Sequence, residues 1–217
     1  MSRATDYSPA NPLVTAKPDA PPLVLASQSA ARRDLLLNAG LPVRVQPAGV
    51  DESEIKESMR GADAAPDEVA ESLAQLKAHR VSAHHPGCLV LGADQLLTLD
   101  GAWMDKPATR EQAAEQLRRL SGREHTLVVT AVLVKEGARI WHQTDTATLR
   151  MRRLSDTFIQ AYLDAVGDAA LASVGGYQLE GAGAQLFARV RGDYFTVLGL
   201  PLLPLLNQLR NLEVIPQ

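Results

Sequence analysis

Asp94 and Lys106 are the first residues in this sequence whose types and spacing suggest chemistry. An apolar run, LVL, predicts a buried strand that Gly92-Ala93 interrupts, so that Asp94 follows directly on the strand. A second run, LLTL, turns at Asp100-Gly101, and this hairpin would return Lys106 alongside Asp94. The acid and the base could then face one pocket. The alternative is an edge strand that ends in a solvated aspartate beside an ordinary surface lysine.

A serine-rich loop between a strand and a helix is the second candidate site. The apolar strand PLVLA leads into Ser27-Gln28-Ser29, and a helix is predicted from Ala30 to Asn38. Ser29 is a favourable N-cap, and the amides of a helix N-terminus suit an anion. Arg32 and Arg33 lie in the first turn, where the helix dipole disfavours a cation. A phosphate chain held by the two serines, the amides and Arg32 would compensate them. The alternative is a capped helix whose arginines pair with nearby acids.

Carboxylates and one lysine provide further candidates. Asp51, Glu52 and Glu54 follow a predicted strand in the run AGVDESEIKE. Such a run is usually a solvated loop, but one of its carboxylates could bind a divalent metal, which prefers oxygen ligands. Lys77 lies on the flank of the apolar stripe of a helix predicted from Pro66 to about Ser82. Its ammonium group could lie over a pocket or extend to water.

A glycine-rich segment, SVGGYQLEGAGA, lies near the C-terminus. Glycine at this density allows close backbone approach to a ligand or positive φ angles, and Glu180 projecting from such a loop could contact a ligand. The alternative is a set of turns. Beyond it, residues 186–190 and 194–198 predict a hairpin, and residues 201–211 predict the last helix.

The composition limits the class of protein. With 217 residues, 46% of them hydrophobic, the chain can form one large domain or one domain of two lobes. The 22 basic and 25 acidic residues are interspersed, so the net charge of -3 indicates neither a nucleic-acid polymer nor an acidic membrane surface as partner. A single cysteine, Cys88, excludes a disulfide framework and fits a reducing cytoplasm. Neither a membrane helix nor a signal peptide is predicted, so we expect a soluble, cytoplasmic protein.

The N-terminal segment differs from the rest of the chain. Residues 1–21 combine small polar residues with several prolines, a composition that buries too little apolar surface to order itself. We therefore predict a flexible extension over residues 1–21 and a folded domain over residues 22–212.

Seven motifs in order resemble the Maf family of nucleoside triphosphate pyrophosphatases. The motifs are LASQSAARRDLL, the DES segment, LAQLKA, VLGADQ, DKP, GYQLEGAGA and GDYFTVLGLPL. The resemblance covers about residues 22–210, and its order makes it specific. It implies an α/β fold with a mixed, twisted sheet in two lobes around a central cleft, similar to inosine-triphosphate pyrophosphatases, and often a homodimer.

The resemblance also implies roles for individual residues. Asp94 matches the position proposed as proton acceptor, and Glu52 matches a carboxylate that is linked to metal and water. Together Glu52 and Asp94 would hold a divalent cation, Mg²⁺ or Mn²⁺. The positions that hold the triphosphate are Ser27, Ser29, Arg32, Lys77 and Lys106. The implied reaction converts a nucleoside triphosphate and water to the monophosphate and pyrophosphate, because a cation cluster and a metal stabilise the charge that develops on phosphate oxygens.

Three positions, Ala31, Gln95 and Glu180, separate the branches of the family. Gln95 and Glu180 resemble the branch that prefers 7-methyl-GTP, whereas Ala31 lacks the larger side chain usual there, which favours a relaxed range with guanine-like bases preferred. Alternatives are a 7-methyl-GTP-selective pyrophosphatase and a non-catalytic nucleotide-binding regulator of septum formation. The family implies a house-cleaning role linked to cell-division arrest. Its usual proline after Ser29 is replaced by Ala30.

Overall fold

The computed structural model describes residues 4–10 and 19–217, and the chain divides into two compact units. Unit 1 consists of Met1–Asp94, Val129–Asp145 and Gly199–Gln217, and unit 2 consists of Gln95–Val128 and Thr146–Leu198. Among the described residues, no helix has both the length and the apolar character needed to cross a membrane.

The described residues form strands and α-helices that alternate along much of the chain. In chain order they are β1 (Thr5–Tyr7), β2 (Leu23–Leu25), α1 (Ala30–Asn38), β3 (Val43–Val45), α2 (Glu52–Gly61), α3 (Pro66–Ser82), β4 (Leu89–Leu99), β5 (Ala102–Met104), α4 (Arg110–Leu120), β6 (Glu124–Lys135), β7 (Ala138–Met151), α5 (Asp156–Val166), β8 (Phe187–Arg191), α6 (Tyr194–Val197) and α7 (Leu202–Asn211). Short 3₁₀ turns cover parts of residues 167–186.

The strands form a mixed sheet, which confirms the predicted α/β fold class. The strand order is β1-β3-β2-β4-β6-β7-β8, with β5 beside β4. Strand β2 pairs in parallel with both β3 and β4, whereas β1–β3, β4–β5 and β7–β8 are antiparallel. The predicted turn at Asp100-Gly101 joins β4 to β5, and both of its residues have positive φ (49° and 82°), as a two-residue hairpin requires.

Each unit has its own hydrophobic core. In unit 1, Ala74 and Ala78 of α3 pack with Val90 of β4 and with Val132 and Val134 of β6. In unit 2, the core combines the inner faces of α4 and α5 with the sheet; it includes Leu97, Leu117, Leu120, Leu149, Ile159, Leu163 and Tyr177. The small residues of α3 allow that helix to lie close to β4, which matters for the site described below.

Three predicted elements differ from the structure. Strand β4 continues without a break through Gly92, so Asp94 lies within the strand and not at its end. The acidic run predicted as a solvated loop forms α2, because the Asp51 side chain accepts hydrogen bonds from the amides of Ser53 and Glu54 and caps the helix. Residues 194–198, predicted as a strand, include helix α6, which the Asp193 side chain caps in the same way.

The predicted N-terminal extension contains a strand that its composition does not indicate. Thr5–Tyr7 forms β1, and Asp6 lies opposite Arg44 in β3, with a hydrogen bond of 2.6 Å between Arg44 Nε and Asp6 Oδ1. For residues 1–3 and 11–18 the predicted flexibility falls outside the described residues.

His125 is a buried polar residue in the core of unit 2. Its Nε2 lies 2.7 Å from the Tyr177 hydroxyl, and its Nδ1 is buried without a hydrogen-bond partner among the described residues. The ring also lies near Phe187, with 6.1 Å between ring centroids. Burial lowers the pKa of His125 from 6.5 to about 4, so the folded protein keeps this imidazole neutral.

We expect acid to destabilise the fold through His125. As pH falls from 6.5 toward 4, His125 is protonated in the unfolded chain but stays neutral in the folded protein. The free energy of unfolding therefore decreases. By about pH 5 the loss relative to neutral pH should be on the order of 2 kcal/mol, and His125→Phe should remove it. Urea unfolding at both pH values measures the difference. Substitution of exposed His84 by Phe is the control, and an unchanged pH dependence in His125→Phe would contradict this role.

Candidate active site

The centre of the site is a contact between Lys77 in α3 and Asp94 in β4. Lys77 Nζ lies 2.6 Å from Asp94 Oδ1 and 2.7 Å from Glu52 Oε1, so one ammonium group joins two carboxylates. Helix α2 provides Glu52 in its first turn. The sequence left open whether Lys77 covers a pocket or extends to water, and the structure places it inside unit 1.

The depth of these three side chains differs. Asp94 is 4% exposed and Lys77 is 6% exposed, whereas the Glu52 side chain retains 41% of its surface. Asp94 Oδ2 is buried and has no hydrogen-bond partner in the described part of the chain. A buried carboxylate oxygen that lacks a donor is costly unless it serves a ligand, so Oδ2 is the natural acceptor for a bound group.

Arg32 is the centre of a second group of buried hydrogen bonds in unit 1. Its Nε donates to the carbonyl of Gly199 at 2.7 Å, and its Nη1 donates to the carbonyl of Ala93 at 2.9 Å and to Ser27 Oγ at 3.2 Å. Burial lowers the pKa of the Arg32 guanidinium, and the negative charges of Asp94 and Glu52 offset only part of this decrease. The side chain is therefore a buried cation that links three distant parts of the chain.

The serine loop is ordered by short-range hydrogen bonds. Ser29 Oγ accepts from the amide of Arg32 at 3.3 Å, which confirms Ser29 as the N-cap of α1, and Ser27 Oγ accepts from the amide of Ser29 at 3.2 Å. Ser27 is buried and Ser29 is half-buried. Ala31 is also half-buried, in the first turn of α1.

Gly92 has a packing role that the predicted strand break does not indicate. A Cβ atom at this position would lie 2.1 Å from the carbonyl oxygen of Ala74 and 2.9 Å from Ala78 Cβ. Only a glycine therefore lets α3 approach β4 closely enough for Lys77 to reach Asp94. Its sequence context predicts a break in the strand, whereas its place two residues before a candidate carboxylate is the signal for close packing.

The remaining predicted residues lie in unit 2. Gln95 is half-buried, and its Nε2 donates to the carbonyl of Val197 at 3.0 Å and to that of Thr196 at 3.5 Å. Lys106 is exposed after β5, and Glu180 is exposed between two 3₁₀ turns. The structure thus brings Ser27, Ser29, Arg32, Glu52, Lys77 and Asp94 together within unit 1.

The unit 1 residues can perform a limited set of chemical tasks. Two carboxylates can bind a hard cation, and two cationic side chains can stabilise an anion. No group of three or more His, Cys, Asp or Glu side chains suited to a metal occurs among the described residues. A metal held here would therefore need further ligands from a bound molecule, which is usual for Mg²⁺ with phosphates.

Comparison with known proteins identifies one family. The family model described as Maf-like protein matches residues 22–212. A nucleoside triphosphate pyrophosphatase of Paramagnetospirillum magneticum is 52% identical over 194 residues, which is 89% of this chain and 100% of the relative. Proteins of the same name from Granulibacter bethesdensis and Hyphomonas neptunium are 50% and 49% identical, over 87% and 89% of this chain and 96% and 98% of their own.

Gly92→Ala tests the packing that supports the site. Because the added methyl group would meet the Ala74 carbonyl at 2.1 Å, α3 and β4 must separate, and we expect a loss of roughly 1–3 kcal/mol in unfolding free energy by urea titration. Gly61→Ala is the matched control, since a Cβ at that helical position meets nothing within 4 Å. Equal stability of the two variants would show that the close approach of α3 is unimportant.

Proposed function

This chain belongs to the Maf family, and we propose that it is a nucleoside triphosphate pyrophosphatase. The substrate would be a nucleoside triphosphate, and water would cleave the anhydride between its α and β phosphates to give the monophosphate and pyrophosphate. The observation that carries this proposal is the buried Asp94, whose Oδ2 has no partner among the described residues, beside the cations Lys77 and Arg32.

We propose that Glu52 and Asp94 hold a divalent cation, Mg²⁺ or Mn²⁺. The position between them already accepts a positive charge, since Lys77 Nζ lies within 2.7 Å of an oxygen of each carboxylate. Two carboxylates with additional phosphate oxygens match the coordination that Mg²⁺ prefers. When bound, such a cation supplies electrostatic stabilisation of the charge that develops on the phosphate oxygens.

The triphosphate would be held by Ser27, Ser29, Arg32, Lys77 and Lys106. Ser27 and Ser29 lie at the N-terminus of α1, where amide groups favour an anion. Arg32 is already bonded to carbonyl oxygens and to Ser27, so its first task is to position the serine loop against β4, and its charge adds to the attraction of phosphate. Lys77 and Lys106 contribute point charges.

Asp94 would orient water and accept its proton. Its Oδ1 faces the position that Lys77 fills in this structure, and its Oδ2 is buried with no donor in the described part of the chain, so a water molecule could bond to Oδ2. Transfer of the proton to the carboxylate leaves the water oxygen attached to phosphorus, and pyrophosphate departs with the bridging oxygen. General base catalysis of this kind typically contributes a factor of about 10² to 10⁴ in rate.

A panel of nucleoside triphosphates tests this function. We expect the wild type to release pyrophosphate with Mg²⁺ or Mn²⁺ and to release none with excess chelator.

Asp94→Asn tests the proposed base. We expect it to lower kcat at least about 100-fold, because the amide is not a base. The asparagine oxygen can still accept from Lys77, so a thermal melt should show a folded protein. Asp164→Asn, on the exposed face of α5, is the control and should keep wild-type turnover. Full turnover by Asp94→Asn would remove Asp94 from the reaction, and inactivity of the wild type on every triphosphate would refute the function.

We propose a preference for guanine-like bases. Gln95 Nε2 is bonded to backbone carbonyls of Thr196 and Val197, so its Oε1 is the end that can accept a hydrogen bond from a base. The Glu180 carboxylate is also an acceptor, and guanine offers N1–H and N2–H donors, whereas thymine and uracil offer one N–H between two carbonyls. Ala31 provides no aromatic face for a cationic base, which favours a relaxed range over strict selection of 7-methyl-GTP.

Glu180→Gln tests the source of this preference. The wild type should show higher kcat/KM for GTP and 7-methyl-GTP than for UTP or dTTP, and the variant should reduce that ratio about tenfold, because a charge-assisted hydrogen bond is replaced by a neutral one. Glu115→Gln, at an exposed position of α4, should leave the ratio unchanged. Faster cleavage of UTP or dTTP than of both guanine nucleotides by the wild type would overturn the proposed specificity.

A further inference from the structure

Lys77 occupies the position between the two proposed metal-binding carboxylates. Its Nζ lies 2.6 Å from Asp94 Oδ1 and 2.7 Å from Glu52 Oε1, which are hydrogen-bond distances for a charged pair. The residue is 6% exposed, so the ammonium group has exchanged most of its hydration for these carboxylates. In this structure Lys77 therefore acts as an internal cation of the site.

A second cation cannot share this position with the ammonium group. Like charges a few ångströms apart repel strongly in a buried environment, and Lys77 already contacts one oxygen of each carboxylate. Asp94 Oδ2 is the one buried carboxylate oxygen of the pair without a partner in the described residues, and a single oxygen is a weak metal site.

We infer that Lys77 and a divalent cation are alternative occupants of the position between Glu52 and Asp94. This inference rests on the proposed function, which places both a metal and Lys77 at the site. When a cation enters, Lys77 Nζ leaves Asp94 Oδ1 and Glu52 Oε1 and becomes available to phosphate oxygens. Lys77 thereby neutralises the carboxylates of the resting protein and opposes the entry of a cation without nucleotide.

If the inference holds, removal of Lys77 changes the metal affinity in the opposite direction from removal of a residue that supports the metal site. If Lys77 only held the carboxylates in place for the metal, its removal would weaken metal binding. If Lys77 competes for the same oxygens, its removal should tighten binding, because Asp94 and Glu52 then lose the ammonium group that lies between them.

The experiment measures Mn²⁺ binding to the full chain in the absence of nucleotide, by electron paramagnetic resonance of the free ion. Lys77→Met should lower the Kd at least about tenfold relative to the wild type. Lys135→Met removes the same charge from an exposed position at the end of β6 in unit 1 and should bind as the wild type does. Adding Glu52→Gln or Asp94→Asn to Lys77→Met should abolish the gain.

A second measurement avoids any effect of the substitution on folding. In the wild type, the ζ-ammonium proton signal of Lys77 should be protected from solvent exchange and should shift or broaden as Mg²⁺ is titrated. Unchanged or weaker Mn²⁺ binding by folded Lys77→Met, or a Lys77 signal that does not respond to Mg²⁺, would overturn the inference.

These outcomes are independent of turnover. If the wild type hydrolyses triphosphates and Lys77→Met binds Mn²⁺ as the wild type does, the competition by Lys77 is refuted and the proposed function stands. If Lys77→Met binds Mn²⁺ more tightly and the wild type releases no pyrophosphate, the proposed function alone would be refuted.

Discussion

The salt bridge between Lys77 and Asp94 is the interaction on which the arrangement of unit 1 depends. Two charges that are 6% and 4% exposed are expensive to bury, and the expense is offset only when their geometry is close. Closeness requires α3 to lie almost against the backbone of β4. Ala74 and Ala78 on the helix and Gly92 on the strand make that contact possible, because none of them carries a side chain larger than a methyl group.

Arg32 extends the same principle to the rest of the unit. Its guanidinium donates hydrogen bonds and accepts none, and it donates to oxygen atoms of Ala93, Gly199 and Ser27. The carbonyl of Ala93 adjoins Asp94 in the sequence, whereas Gly199 is 167 residues from Arg32. One buried side chain thus fixes the serine loop relative to the strand that carries the carboxylate. Loss of Arg32 would affect the geometry of the site as well as its charge.

Local signals in the sequence predicted some elements well, and contacts between distant residues account for the remainder. The N-terminal ends of α1 and α3 follow from Ser29 at the N-cap and Pro66 at the first helical position, since capping acts within one turn. By contrast, the burial of Lys77 depends on a partner 17 residues away. Two of the acceptors of Arg32 are the backbone carbonyls of Ala93 and Gly199, which have no sequence signature. Strand β1 forms because β3 offers a pairing edge, and composition alone does not reveal such an edge.

The charges of the site explain why its two proposed ligands should enter together. Arg32 and Lys77 balance Glu52 and Asp94, so the group of four side chains is close to neutral while largely buried. A nucleotide alone would add an excess of negative charge beside Asp94, and a lone divalent cation would meet Lys77. A nucleotide that carries its divalent cation adds only about half the negative charge of the nucleotide alone, and in a medium of low dielectric constant that difference is large. Under the proposed function, the same balance that stabilises the resting protein therefore favours a metal–nucleotide complex over its separate components.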